Sequence, residues 1–262
     1  MSLLTIITCL IAGIGAGVGT GFAGLSAAAF IGPLLIGLVG IPAYQATAIG
    51  LASDVLASAV SAWTYHKAGN IDRKNVGSLL ILVLIGTAAG SLIAQYIPNG
   101  TLGFLSIAGS LFLGCQQLLQ VAQKKEKSSS LPLPSSQGWR RAEQVVCGLW
   151  IGFICGFMGT GGGMMMLLVL TLVMGCELKA AVGTSVLIMT FTALFGSGLH
   201  FLLKGLPDFK ILALCALTTL VAAAISARAA NRMRPLVAKA VVGTLLVLMG
   251  IVMMVFKYLG LS

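Results

Sequence analysis

Gly13-Ile-Gly-Ala-Gly-Val-Gly-Thr-Gly-Phe-Ala-Gly24 and Gly152-Phe-Ile-Cys-Gly-Phe-Met-Gly-Thr-Gly-Gly-Gly163 are two glycine-rich runs set in uncharged apolar sequence, one opening each half of the chain. Glycine weakens a helix by about 1 kcal/mol per residue, so runs this dense predict interrupted helices. At bilayer depth an interrupted helix bares backbone N–H and C=O groups, and such backbone usually lines a ligand site. The alternative is close helix packing, which the Gly13/Gly17 and Gly152/Gly156 spacings fit as small-xxx-small patterns. Packing alone and packing with a ligand site both stay open at this point.

Around these runs the composition is that of a membrane protein. No Asp, Glu, Lys, Arg or His precedes Asp54, and that stretch would extend about 80 Å as a helix, more than two hydrocarbon cores. Hydrophobic residues make up 58% of the chain and charged ones 8%, with a mean hydropathy of +1.05. The apolar runs do not alternate in polarity, which excludes a lipid-embedded barrel and predicts a polytopic helical chain. The first stretch far exceeds the apolar core of a signal peptide and lacks a basic leader, so retention is expected. The net charge of +10 comes from lysines and arginines at the edges of apolar segments, where orientation and lipid head groups account for them without nucleic acid. Six scattered cysteines show no C-x-x-C spacing, so neither a metal nor a cofactor is expected.

Apolar segments run over 3–40, 43–63, 76–95, 101–121, 144–175, 180–203, 209–227 and 237–256. The first and fifth are too long for one crossing and read as hairpins. Between the fourth and fifth, Lys124-Lys-Glu-Lys127, three serines and Leu-Pro-Leu-Pro form a polar linker that cannot bury a core. The domains expected are a first membrane repeat, 1–122, a polar cytoplasmic linker, 123–143, and a second membrane repeat, 144–262. Similar strings recur in order: Ala48-Ile-Gly-Leu-Ala-Ser53 beside Ala181-Val-Gly-Thr-Ser185, and His66 to Asp72 beside His200 to Asp208. The fold class predicted is an all-α polytopic membrane protein of two homologous halves, arranged as inverted repeats. Each half is a glycine-broken helical hairpin plus three transmembrane helices. Counting the hairpins as non-crossing puts every lysine and arginine except Lys204, Lys210 and Lys257 on one side, a stronger bias than single crossings give. The chain is then multi-pass in the plasma (inner) membrane, with the linker cytoplasmic and both termini opposite.

Several residues could carry chemistry. The first free N–H groups of a half-helix favour an anion, which nominates Gly19, Gly21, Gly24, Gly159, Gly161, Gly162 and Gly163 as backbone that a substrate can approach. Thr20, Ser26 and Thr160 would add hydroxyl donors, and Ser53, Thr184 and Ser185 lie in the paired Ala-x-Gly strings. Asp54 is the acidic residue placed mid-crossing, where a carboxylate is costly; it reads either as a proton-coupling group or as a hydrogen-bonded structural residue beside Ser53 or Ser58. His66 and His200 fall near segment ends, as imidazoles at the water boundary or as paired gates. Asp72 and Asp208 read as helix caps. Gly19-Thr-Gly-Phe-Ala-Gly24 matches a dinucleotide fingerprint and Gly24-Leu-Ser26 faintly a serine hydrolase, but neither has the strand context those sites need. No Walker-type lysine follows either run. An enzyme is not expected.

Taken together, the glycine-rich openings, the Ala-x-Gly segments, the Gly69-Asn-Ile-Asp72 and Gly205-Leu-Pro-Asp208 turns and the polar linker resemble the TauE/SafE sulfite exporter family. The resemblance covers nearly the whole chain. It implies an inner-membrane permease of two related halves that moves small anions, sulfite or sulfonates such as sulfoacetate, often outward. The family's glycine blocks match Gly13, Gly17, Gly19, Gly21 and Gly24, then Gly152, Gly156, Gly159, Gly161, Gly162 and Gly163. In the first half Leu51-Ala52 stands where the second has Thr184-Ser185, which makes the site asymmetric.

The function expected is therefore a secondary transporter exporting small anions by alternating access, with the anion at the half-helix N-termini. The alternatives are an anion channel, a proton-coupled uptake permease for organosulfur compounds, or a membrane scaffold protein. The partners expected are a small anionic substrate, with proton coupling open, and the lipid bilayer; nucleic acid is excluded and a homo-oligomer stays open.

Overall fold

The computed structural model describes residues 1–72, 76–123, 137–159 and 162–258. The described residues form helices and no strand. They are α1 (Leu3–Ala23), α2 (Ala28–Leu34, continued by a π-helical stretch Leu35–Val39), α3 (Ala43–Lys67), α4 (Val76–Ala94) and α5 (Asn99–Ala122). The same order follows in α6 (Gln137–Met158), α7 (Gly162–Leu168, continued by a π-helical stretch Val169–Val173), α8 (Leu178–Lys204), α9 (Phe209–Arg232) and α10 (Pro235–Tyr258). Among the described residues, seven helices are long and apolar enough to cross a membrane: α1, α3, α4, α5, α8, α9 and, over Leu236–Phe256, α10. Their outward faces carry exposed Ile81, Ile85, Leu194, Val221, Ile225 and Leu248, a surface suited to lipid.

Local chemistry sets the helix ends. The Ser2 side chain accepts from the Thr5 amide and caps α1. Prolines at 42 and 98 precede α3 and α5. The Asp208 carboxylate accepts from the Lys210 amide at 2.8 Å, the cap expected of it. The residues that follow Asp72, 73–75, lie outside the described residues, as does 124–136 of the expected linker. α6 begins at Gln137, inside the span expected to be linker.

The glycine runs do not break where their density predicts. Gly13, Gly15, Gly17, Gly19 and Gly21 all stay within α1, and the chain leaves the helix only at Gly24, whose φ of +63° lies in the left-handed region. Likewise Gly152 and Gly156 stay within α6, and Gly159 turns with φ +69°. Packing explains the survival. A Cβ on Gly17 would lie 2.5 Å from the Ala222 methyl and the Thr219 carbonyl of α9, and one on Gly152 or Gly156 would strike the Val83 or Thr87 carbonyl of α4. Helix contacts this close offset the propensity deficit.

After Gly24 the chain doubles back. Phe30 of α2 packs on Gly15 and Gly19, so α1 and α2 form a hairpin. The long helices then pair across the halves: α1 with α9, α4 with α6, α3 with α8 and α5 with α10. Gly13, Gly17 and Gly21 meet Thr218, Ala222 and Ser226 in ascending order, so α1 and α9 run parallel, and α4 and α6 do the same. α3 and α8 run antiparallel, because Tyr44 at the start of α3 stacks on His200 near the end of α8, while Tyr65 near the end of α3 meets Gly183 near the start of α8. α5 and α10 are also antiparallel, with Gly114 against Val247 and Gly250 against Leu111.

One spacing separates Gly24 from Gly159 and Gly40 from Gly175, all four with positive φ. Carried along the chain, it pairs Gly17 with Gly152, Gly50 with Ser185, Asp54 with Met189 and Tyr65 with His200. This corrects the register read from the sequence strings, which set Gly50 against Gly183 and His66 against His200. Those strings sit two residues and one residue out of this register, because glycine and alanine recur often enough in these helices to align at several offsets.

Candidate functional site

The two helix breaks meet in the middle of the bundle. The Gly24 carbonyl abuts Gly163, and Gly159 abuts Ala28, the first residue of α2. Each break also leans on the other half's long helix: Gly24 on Val182 and Ser185 of α8, Gly159 on Thr47 and Leu51 of α3. Gly24, Ser26, Gly159, Gly163 and Ser185 are thus brought together. Ser26 and Ser53 are buried with hydroxyls that find no hydrogen-bond partner, whereas the Ser185 hydroxyl bonds the Val182 carbonyl at 2.9 Å.

Other nominated residues serve packing. Gly19 faces Phe30, Gly21 faces Ser226 and Gly162 faces Cys155. Thr184 accepts from the Asp72 amide at 2.9 Å, tying the turn after α3 to α8. Next to it the Cys176 thiol donates to the Asp72 carboxylate at 3.2 Å. Burial and that carboxylate push the Cys176 thiol up to about 12, so it serves as a donor rather than a nucleophile. Thr160 and Gly161 lie outside the described residues.

Asp54 points into the first break. It is 1% exposed, and the Thr20 hydroxyl lies 3.3 Å from its carboxylate while also donating to the Ala16 carbonyl at 3.0 Å. The Ser26 side chain and the Ala27 amide face the same carboxylate, with the Ser26 hydroxyl beyond hydrogen-bond distance. The Ser58 hydroxyl donates to the Asp54 carbonyl one turn on. The groups around this carboxylate are neutral donors, so its burial is offset by hydrogen bonds rather than by an ion pair. At the equivalent place in the second half stand Met189, with its sulfur against Gly163, and Cys155.

The two histidines part company. His66 is exposed, with its ring 6.3 Å from that of Trp63, on a groove also lined by Ile71, Thr190 and Phe191. His200 is not at a water boundary: it is 1% exposed and stacked on Tyr44 at 4.4 Å, because α3 covers the end of α8. Tyr44 and Thr47, which sequence reasoning passed over, line this region. Their signal was available as a polar stripe, Tyr44, Thr47, Asp54, Ser58, Ser61 and Tyr65, at three- or four-residue steps or multiples of them along an otherwise apolar helix. Among the described residues no cluster of His, Cys, Asp and Glu could hold a metal ion.

Long apolar helices around two helix breaks that meet at a buried, partly polar centre describe a polytopic membrane transporter. The chain belongs to the TauE/SafE sulfite exporter family, whose model matches residues 9–253. It is similar to the probable membrane transporter protein YdhB of Bacillus subtilis (strain 168), with 26% identity over 227 residues, 86% of this chain and 91% of that protein. No solved structure matches the chain.

Proposed function

We propose that the protein is a secondary transporter that carries a small anion, sulfite or an organosulfonate such as sulfoacetate, out through the plasma (inner) membrane by alternating access. The observation that carries this reading is the meeting of the two helix breaks, Gly24 against Gly163 and Gly159 against Ala28. Backbone groups freed at a break, with the buried hydroxyls of Ser26, Ser53 and Ser185 near them, suit an oxyanion in a low-dielectric surround. The two halves, joined by a polar cytoplasmic linker that ends where α6 begins at Gln137, act as inverted repeats. The antiparallel pairs α3/α8 and α5/α10 support this, since a two-fold axis lying in the membrane plane reverses each helix onto its counterpart. A negative interior favours exit of each anionic charge by about 2.3 kcal/mol per 100 mV, so export needs no coupled ion.

Proton-coupled movement is the second reading, favoured by Asp54 beside Thr20 at the first break. Flux of radiolabelled sulfite, sulfate, thiosulfate and sulfoacetate in proteoliposomes, at set potential and pH gradient, tests both. Saturable, potential-driven flux of one anion is expected, with most of it lost in Gly159→Ala. Folded wild-type protein that moves none of these anions in either direction rules out the anion-transport reading.

A further inference from the structure

Three buried polar atoms without a hydrogen-bond partner belong to residues placed where α3 begins and α8 ends: the Tyr44 hydroxyl, the Thr47 hydroxyl and Nε2 of His200. Their residues are 5%, 1% and 1% exposed. The His200 ring stacks on Tyr44, and Thr47 lies on the next turn of α3 with its methyl against the Gly159 break. A buried donor or acceptor left unmet keeps its full desolvation penalty. Three in one place, contributed by two helices, call for a ligand that meets them together.

Donor and acceptor arithmetic defines that ligand. His200 Nδ1 lies 2.9 Å from the Gly196 carbonyl, which can only accept, so Nδ1 carries the ring proton. In the neutral imidazole Nε2 is then a bare acceptor, while the two hydroxyls can donate. A molecule that satisfies all three offers acceptor oxygens to Tyr44 and Thr47 and a proton to Nε2. A hydrogen-form oxyanion such as hydrogensulfite does so directly. A fully ionised oxyanion does so once the imidazole has taken up a proton and donates from Nε2. Both routes place the same composition in the site, one oxyanion and one proton.

We propose that Tyr44, Thr47 and His200 form an oxyanion station that accepts its anion together with one proton, separate from Asp54. The proposal rests on the anion-transport reading and specifies the form in which the anion is carried. Tyr44 is the titratable group on the ring. α4 and α7 carry none, α5, whose Leu102 packs with Tyr44, carries Cys115 more than three turns further along, and Lys204, one turn beyond His200, is exposed. Cys155 of α6 faces Thr87 and Thr192, two turns of α8 away, and Asp54 lies about 10 Å beyond Thr47 and about 15 Å beyond Tyr44 along α3.

Calorimetric titration of the purified full-length protein with sulfite at mildly alkaline pH, in two buffers of different ionisation enthalpy, reports the protons taken up per anion. Wild type is expected to take up about one. His200→Gln should bind more weakly and take up none. Tyr44→Phe, which keeps the ring stack and so the fold, should still take up the proton but bind about tenfold more weakly. Proton uptake that persists in His200→Gln, or Tyr44→Phe and Thr47→Val both binding as wild type, overturns the station. So does sulfite binding by wild type without any proton. If wild type binds neither sulfite, sulfate nor sulfoacetate, the transport reading falls along with it.

Discussion

The Thr20 hydroxyl lies 3.3 Å from the Asp54 carboxylate across the contact of α1 with α3, in a place where the other half carries Cys155 and Met189. Elements and helix pairings recur between the halves, but this polar pair does not. A buried carboxylate is costly in a bilayer, and neutral donors offset only part of that cost. Keeping it on one side of a repeated scaffold therefore points to use rather than architecture.

Asp54→Asn preserves shape and can still accept from Thr20, so flux driven by membrane potential should persist. Stimulation by a pH gradient should fall to the part supplied by the proton taken up with the anion at His200, because an amide at position 54 cannot exchange a proton in this range. The double variant Thr20→Cys with Asp54→Met copies the second half into the first and should fold with an unchanged or higher Tm, since a hydrophobic replacement of buried polar groups is often stabilising. Full pH-gradient dependence in either variant would remove Asp54 from coupling.

Glycines that hold helices together separate cleanly from those that do not. A Cβ on Gly17 meets Ala222 and the Thr219 carbonyl at 2.5 Å, whereas one on Gly198 of α8 meets nothing within 4 Å. Gly17→Ala should lower stability by about 1–3 kcal/mol. Gly198→Ala should be neutral or stabilising by up to about 1 kcal/mol, from helix propensity alone. Thermal unfolding in detergent compares the two directly, and equal losses would contradict the packing assigned to α1 and α9.

Much of the fold was legible because lipid allows little else. An uncharged stretch preceding Asp54, hairpin-length apolar segments and repeated glycines led to the helices, the two broken segments and their order. Glycine density misled about the break itself, since intrinsic propensity knows nothing of a neighbouring helix; Gly17 and Gly152 stay helical because α9 and α4 press on them. The register slipped for a related reason, as small residues align with themselves at several offsets. Tyr44 and Thr47 were hidden because their importance depends on His200, which lies far away in sequence and is brought to them only by the antiparallel packing of α3 on α8.

Gly24 and Gly159 set the two turns and should be the least replaceable glycines for transport. An alanine at either must hold a positive φ, a cost of about 1–2 kcal/mol. Its Cβ would also press 2.6 Å from the Ser185 hydroxyl or 2.9 Å from the Thr47 methyl. Each variant should stay folded with a lowered Tm yet lose most of its flux in proteoliposomes. Wild-type flux in both would mean that the breaks do not line the path.

The relation between the halves can be tested without knowing the substrate. Lys67 ends α3 and Lys204 ends α8, and both are exposed. The two helices run antiparallel, as the pairs Tyr44 with His200 and Tyr65 with Gly183 require. In a background with the six native cysteines replaced, Lys67→Cys should react with a membrane-impermeant maleimide only from the cytoplasmic side. Lys204→Cys should react only from the opposite side, which is also where the positive-inside bias leaves Lys204. Parallel repeats would put these two helix ends on the same side, so labelling of both from one face would refute the inverted arrangement and with it the alternating exchange between equivalent halves.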